Sequence, residues 1–315
     1  ATDANRFVLR FARFLTGRSK VLVFDWCYHG SVDETLVTLD ERGLAVPRQG
    51  NIGPQVHPEQ TTVVVPFNDI PALEAALATG EIACVLAEPA LTNIGIVLPQ
   101  PGFHDALRSL TRAYGTMLVI DETHTICVGP GGATAAWGLQ PDFFVIGKTI
   151  GGGMPAAAYG CTAEIAARLN ELLLDKSVDT SGVGGTLTGN ALALAAVKAT
   201  LSTTLLDADF EHMIPLAGKW TDGVQATIDA FGLPWNVQQL GARAEYWFCP
   251  PPRDGATAAA AVDHQLDAFM HLWAINRGVL LTPFHNMALM SPHHTLADVQ
   301  LHDRVFHDAV EHLTR

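Results

Sequence analysis

The chain has 315 residues, of which 48% are hydrophobic, and its formal net charge at pH 7 is −13. This length favours two domains over one. The negative charge argues against a nucleic-acid groove and against binding to an anionic membrane surface. Five scattered cysteines argue for a reducing, cytoplasmic location without a disulfide framework. No signal peptide and no run of about 18 apolar residues is visible, so we expect no membrane-spanning helix.

The first half of the chain predicts an α/β sheet. Its opening predicts a helix, because Phe7, Phe11 and Phe14 or Leu15 share one helical face. Four later runs lack polar alternation and predict buried parallel strands, with helices expected at Pro71–Thr79 and Gly102–Tyr114. The predicted strands are Val21–Asp25, Cys84–Glu88, Met117–Glu122 and Phe143–Lys148.

The pattern changes after residue 206, and we predict a large domain over residues 1–206 and a small α+β domain over 207–315. An Ala/Leu-rich helix at 187–206, expected to be buried, ends the first domain. The last helix should begin at Thr295, with Asp298 completing a capping box. Between them we expect helices at 208–230 and 258–277 and strands at Trp235–Leu240, Ala244–Phe248 and Val279–Thr282.

All four predicted strands of the large domain end in ionisable residues, among them Asp25, Glu88, Asp121 and Lys148. In open α/β sheets ligands bind beyond the carboxyl ends of the strands. A partly desolvated lysine there can form a Schiff base with an aldehyde, and a nearby buried carboxylate can hold a protonated pyridine nitrogen. Together Lys148 and Asp121 match the needs of pyridoxal 5′-phosphate. Taken alone, each has a simpler reading, as a solvated lysine and as a capping or ion-paired aspartate.

Three other motifs do not predict the binding sites that they resemble. Gly147-Lys148-Thr149 imitates a phosphate-binding loop, but Asp142 stands where that loop needs glycine. Residues 151–156 fit G-x-G-x-x-A, yet the preceding strand ends several residues too early for a dinucleotide site, and a tight turn explains the glycines. His302, His307 and His312 are spaced by five, cannot share one helical face and predict no metal site.

Seven short motifs follow one another along the chain: Thr2-Asp3-Ala4-Asn5, Cys27-Tyr28-His29-Gly30, Ala87-Glu88-Pro89, Asn93-Ile94-Gly95, Ile120-Asp121-Glu122, Gly147-Lys148 and Gly184-Gly185-Thr186-Leu187-Thr188-Gly189-Asn190. In this order and spacing they resemble the motifs of the class III aminotransferases that use pyridoxal phosphate, including the glutamate-1-semialdehyde aminomutases. The segments TNIGIVLP, IDETHT and RGVLLTPFHNMALMSP resemble the β-phenylalanine aminotransferases more closely. The resemblance implies a type I PLP-dependent transferase fold and a homodimer with shared active sites.

The resemblance also implies roles for individual residues. Lys148 is the Schiff-base lysine and proton shuttle, and Asp121 keeps the pyridine nitrogen protonated. Tyr28 stacks on the ring. Thr186 donates to the phosphate from the partner subunit, and Thr2 does so at a helix N-terminus.

One residue has an open role within that family, and three features depart from its pattern. Glu88 is a cofactor-facing or substrate-facing carboxylate whose role stays open. Thr123 replaces the small apolar residue that usually packs under the ring, and Asp3 replaces a glutamate. Relatives carry about a hundred further residues before this point.

Substrate carboxylates call for arginine, whose planar fork binds them through two hydrogen bonds. Arg277 is the first candidate and Arg243 a weaker one, although a helix-end arginine that satisfies carbonyl groups explains Arg277 equally well. The resemblance implies transamination between a β-amino acid, such as β-phenylalanine, and a 2-oxo acid such as 2-oxoglutarate. The alternatives are an aminomutase of the glutamate-1-semialdehyde type and an inactive subunit that keeps the fold.

Overall fold

A six-stranded sheet organises the first part of the computed structural model, which describes residues 1–53, 57–175, 179 and 182–315. Its strands run in the order β4-β1-β5-β6-β7-β8, the first five parallel and β8 antiparallel. The mostly parallel α/β sheet is therefore confirmed. Its strands are β1 (Lys20–Phe24), β4 (Thr62–Val65), β5 (Ile82–Ala87), β6 (Met117–Asp121), β7 (Phe143–Ile146) and β8 (Ala158–Cys161), with β2 (Val37–Leu39) and β3 (Ala45–Pro47) forming a separate hairpin.

Helices pack against this sheet in the way that the buried strands require. α1 (Thr2–Thr16) contacts β5 to β8, while α2 (Ile70–Leu77) and α3 (Phe103–Ala113) contact β4 and β6. Strand β5 is buried at every position, as expected for a strand covered on both faces. In α1 the buried face contains Val8, Phe11 and Ala12, whereas the predicted member Phe14 is 53% exposed.

The second part of the chain builds a three-stranded antiparallel sheet, in the order β11-β10-β9. Its core packs Trp220, Tyr246 and Phe306 together. Asp298 accepts hydrogen bonds from the backbone and hydroxyl of Thr295, so the predicted cap is present. The elements are α7 (Asp207–Ala230), β9 (Asn236–Leu240), β10 (Arg243–Trp247), α8 (Gly255–Ala259), α9 (His264–Ile275), β11 (Met287–Leu289) and α10 (Leu296–Leu313).

The two larger hydrophobic clusters of the described residues each draw side chains from both sides of residue 206. Trp247 and Ala258 belong to the core of the large sheet, and Ala90 and Cys127 to that of the small one. The division at 206/207 stays a prediction. Among the described residues, no single helix is long and apolar enough to cross a membrane. Helix α6 (Ala191–Thr203) and α7 meet the length and apolarity criteria only when they are taken together, and a 72° bend separates them.

Three predictions about the later elements were wrong. Helix α6 is mostly exposed in the single chain, with Leu192 67% exposed, although its composition predicted burial. The helix expected at 258–277 is two helices, because Asp263 caps α9 by accepting from two backbone N–H groups. The run Val279–Thr282 forms no strand, and β11 pairs with β10 in its place. The remaining helices are the short α4 (Gly132–Ala136) and α5 (Ala163–Leu174).

Candidate active site

The carboxylate of Asp121 has three hydrogen-bond partners at the carboxyl edge of the large sheet. It ends β6, is 3% exposed, and its Oδ2 accepts from Asn5 Nδ2 at 2.8 Å and lies 2.9 Å from His29 Nδ1. Its Oδ1 accepts from the backbone N–H of Thr123 at 3.1 Å. Burial acts to raise the pKa of Asp121, but the hydrogen bond and charge of His29, with Thr123 and Asn5, hold it below its ordinary value.

His29 is the charged partner that keeps Asp121 ionised. Its ring is buried, and burial disfavours the imidazolium. The neighbouring Cys27 and the hydrogen-bonded carboxylate of Asp121 nevertheless raise the pKa of His29 to about 10. The result is a buried carboxylate that remains an acceptor at neutral pH, as a pyridinium partner must.

Lys148 lies two residues beyond β7, with its backbone in the left-handed region at φ 47°. Its Nζ is 2.9 Å from His124 Nε2 and 6.0 Å from the centre of the Tyr28 ring. Lys148 is exposed as a whole residue, but partial desolvation lowers the pKa of its ammonium, while Asp121 and Glu88 raise it and Arg243 lowers it further. An amine with a lowered pKa, beside an aromatic ring and a buried carboxylate, is suited to covalent chemistry.

Glu88, the residue just after β5, is a third ionisable group near Lys148 and Asp121. It is 2% exposed and accepts from the backbone N–H of Tyr28 at 3.0 Å and from the Thr92 hydroxyl at 2.5 Å. Burial raises the pKa of Glu88 above its ordinary value, against the opposing effect of His29. Glu88 thus fixes the segment that presents the Tyr28 ring toward Lys148.

The N-terminus of α1 meets the same edge of the sheet. Thr2 begins the helix, and its hydroxyl accepts from the backbone N–H of Ser31 at 3.2 Å. A Cβ at Gly30 would lie 2.1 Å from that hydroxyl, so only glycine allows this approach. The free N–H groups of a helix start favour an anion there, although exposed Asp3 in the first turn carries the opposite preference.

The donor set fits pyridoxal phosphate. A carboxylate offers about four lone-pair positions, and three donors occupy three of those on Asp121, which leaves one for a pyridinium N–H. The hydroxyl of Thr123 and the amide oxygen of Asn5 are buried without a partner in the described part of the chain. Buried polar groups without partners are costly, so these two atoms mark a place built for a polar ligand.

The sequence did not predict the polar chain that starts at His124. His124 Nδ1 lies 3.3 Å from Arg243 Nη1, and Arg243, 1% exposed, donates to the Thr92 carbonyl at 2.8 Å. Arg243 also pairs with Glu245 at 2.6 Å, and Glu245 Oε1 lies 3.1 Å from His285 Nδ1. Burial raises the pKa of Glu245, but Arg243 and His285 hold it below its usual value.

Sequence patterns give only part of this set. The motifs contain Asn5, His29 and His124 but do not show that these residues converge. No short pattern could connect His124 with Arg243, because 119 positions separate them.

Two predicted residues are not brought to the site in the single chain. Arg277 is exposed at the end of α9, where its guanidinium stacks 3.5 Å from the Trp273 ring centre and donates to the Trp273 carbonyl. Its substrate role stays a prediction. Thr186 is exposed in a turn and makes no side-chain hydrogen bond with the described residues around Lys148, and its role in a neighbouring subunit also stays a prediction.

Comparison with known proteins agrees with this chemistry. The model of the class III aminotransferase family matches residues 1–221. A glutamate-1-semialdehyde 2,1-aminomutase of Desulfotalea psychrophila is 33% identical over 303 residues, which are 95% of this chain and 69% of that protein.

Solved structures give the same picture. A glutamate-1-semialdehyde-aminomutase from Pseudomonas aeruginosa PAO1, solved as a lysine-to-alanine variant with PMP, is 50% identical with a TM-score of 0.96; the match covers 99% of this chain and 70% of that one. A β-phenylalanine aminotransferase from Variovorax paradoxus is 27% identical with a TM-score of 0.81, over 99% of this chain and 68% of that one.

Proposed function

This chain belongs to the class III aminotransferase family, whose enzymes depend on pyridoxal phosphate, and we propose that Lys148 and Asp121 hold this cofactor for amino-group transfer. The observation that carries the proposal is the buried Asp121, kept ionised by His29 and left with one free lone-pair position at the sheet edge that also presents Lys148.

The bound cofactor supplies an electron sink for the bond broken at the carbon that bears the amine. Asp121 stays ionised, and so favours a protonated pyridine nitrogen. The amine of Lys148 holds the cofactor and, when free, carries a proton to or from the reacting carbon. Tyr28 supplies an aromatic face, while Thr2 and the α1 N-terminus supply donors for the phosphate.

For the reaction itself, we propose aminomutase chemistry of the glutamate-1-semialdehyde type as the first candidate. Its support is that the relatives at 33% and 50% identity bear that name, whereas the β-phenylalanine aminotransferase is 27% identical. This order reverses the expectation from sequence motifs. Transamination of a β-amino acid with a 2-oxo acid is the second candidate, and the segment at 277–292 supports it.

One experiment separates the two reactions. An aminomutase isomerises glutamate-1-semialdehyde without another substrate, so the product has the mass of the substrate. A transaminase consumes one 2-oxo acid for each β-phenylalanine. Turnover of glutamate-1-semialdehyde with no acceptor supports the first candidate, and strict dependence on 2-oxoglutarate supports the second.

Lys148→Ala tests the proposal common to both reactions. We expect turnover to fall by at least about a thousandfold, because the covalent link to the cofactor and the mobile proton carrier are lost together. Lys219→Ala, at an exposed position on α7, is the matched control and should keep wild-type turnover. A Lys148→Ala enzyme that turns over at the wild-type rate would refute the role of Lys148. A wild-type chain that takes up no cofactor would support the inactive-subunit alternative.

We also propose a cytoplasmic homodimer in which Thr186 of one subunit serves the cofactor phosphate of the other. The exposed apolar side chains of α6 support this arrangement, among them Leu192 and Leu194. Sedimentation of the purified chain should give a dimer. Mixing Lys148→Ala with Thr186→Ala chains should restore part of the activity, since one of the two hybrid sites then carries both residues.

A further inference from the structure

His124 lies between two basic side chains, Lys148 and Arg243. Its Nε2 is 2.9 Å from Lys148 Nζ, and its Nδ1 is 3.3 Å from Arg243 Nη1. His124 lies in the turn that follows β6, whereas Arg243 is on β10 of the other sheet. His124 therefore connects the reactive lysine with the small sheet.

The hydrogen-bonding capacity of Arg243 determines which nitrogen of His124 carries the proton. A guanidinium has five N–H donors and no acceptor, so the facing Nδ1 must accept. A neutral imidazole has one donor and one acceptor, which places the hydrogen of His124 on Nε2. Arg243 cannot turn away freely, because it also donates to the Thr92 carbonyl and to Glu245.

The assignment has a consequence for Lys148. An Nε2–H that points at Nζ over 2.9 Å needs a lone pair there, and only an unprotonated amine has one. An ammonium would force Nε2 to accept, which would set the Nδ1–H of His124 against an N–H of Arg243. A doubly protonated His124 would be a third cation; burial, Lys148 and Arg243 lower the pKa of His124 to about 3.

We propose that His124 is a positioning residue, held by Arg243 as the Nε2–H tautomer, that donates a hydrogen bond to Lys148 and stabilises its neutral amine. Only the neutral amine, with its free lone pair, can bind an aldehyde covalently. His124 therefore keeps Lys148 of the apoenzyme in the form that reacts with the cofactor. This inference rests on the proposed function only in taking Lys148 as the amine that holds pyridoxal phosphate.

Other charges around Lys148 oppose or reinforce this effect. Asp121 and Glu88 favour the ammonium, and Arg243 disfavours it. The ring of His285 faces the same cluster from the loop before β11. If the N–H donor of His124 is removed, nothing from that ring offsets the attraction of Asp121 and Glu88 for a positive charge. The ammonium form of Lys148 is then favoured.

The test measures the amine itself. The full-length chain, stripped of cofactor, is labelled with trace acetic anhydride from pH 6 to pH 10, and acetylation of each lysine peptide is quantified by mass spectrometry. Exposed Lys219 is the internal reference. We expect His124→Leu to lower the reactivity of Lys148 near pH 7.5 by about tenfold, equal to a rise of one pKa unit.

A second variant separates hydrogen bonding from packing. The amide of His124→Gln can place an N–H near the position of Nε2, so we expect it to recover most of the lost reactivity. Equal loss in both variants, or a wild-type labelling curve in His124→Leu with unchanged circular dichroism, would overturn the proposal. The role of Lys148 in catalysis is judged separately, by turnover of Lys148→Ala, so either idea can fail without the other.

Discussion

Asp25 and Asp121 occupy equivalent places at the carboxyl ends of parallel strands, yet their surroundings differ. Asp25, after β1, accepts from the hydroxyl of Thr38 at 2.7 Å and from the backbone N–H of Leu39 at 3.3 Å, and burial raises its pKa. Asp121 accepts from groups on three separate segments, including a charged imidazole, and its pKa is lowered. The strand end thus indicates where a site can form, and the partners decide which acid serves it.

Neutralising each aspartate in turn tests the difference between them most directly. Asp121→Asn removes the charge that matches a pyridinium, and we expect turnover to fall at least about a hundredfold. Asp25→Asn keeps an oxygen that can accept from Thr38 and Leu39. Its turnover should be unchanged and its melting temperature should move by less than about 2 °C. Similar losses of turnover in both variants would contradict the distinction.

Removing the partner of Asp121 tests the same pair through stability. His29→Leu leaves a buried unpaired carboxylate, and we expect the free energy of unfolding to fall by about 3–5 kcal/mol near pH 6. The exposed pair of His57 and Glu59, 3.3 Å apart, provides the control. His57→Leu should change stability by less than about 0.5 kcal/mol.

The pH dependence of that loss follows from the direction of each pKa shift. The raised pKa of His29 stabilises the folded state fully below pH 6.5, and this stabilisation is lost as the pH rises toward about 10. The lowered pKa of Asp121 stabilises the folded state above pH 3.8, and this stabilisation is lost as the pH falls below that value. The gap between wild type and His29→Leu should therefore be widest between about pH 4 and 6.5 and should narrow at pH 9. A constant gap would contradict the assigned pair.

Glu88 is the intermediate case, a strand-end acid with a raised pKa at the edge of the site. Glu88→Gln can still accept from the Tyr28 N–H, and its amide can donate to the Thr92 hydroxyl. We expect turnover to fall by less than about tenfold. Because the charge of Glu88 raises the pKa of Lys148, acetylation of Lys148 at a fixed pH should increase in this variant. A decrease in Lys148 acetylation would contradict the inference that the charge of Glu88 raises the pKa of Lys148.

The smallest effect is expected at Arg277, outside the strand-end cluster. Arg277→Ala removes the stacking on Trp273 and should lower the free energy of unfolding by about 0.5–1 kcal/mol, with kcat unchanged. A rise in KM for the carboxylate substrate is the additional result that the sequence-based role predicts. Arg277→Lys keeps the charge but loses the planar fork, so it separates a general charge effect from paired hydrogen bonding.

The sequence predicted four of the six strands of the central sheet, because buried parallel strands are continuous apolar runs, and all four are present. It did not predict β4 and β8. It predicted Lys148 and Asp121 as a pair because strand order brings their ends to one edge. The contacts of His124 depend on a strand in the other sheet, which no local pattern encodes. The strand expected at Val279–Thr282 failed for the same reason, since β11 is selected by pairing with β10 and not by propensity alone.

The left-handed backbone of Lys148 has a consequence for protein engineering. A residue other than glycine in that region costs about 1–2 kcal/mol, so Lys148→Gly should melt at a higher temperature than Lys148→Ala. Selection for heat resistance alone would thus favour loss of the amine that we propose as the cofactor anchor. Directed evolution of this enzyme should therefore screen for turnover in every round of thermal selection.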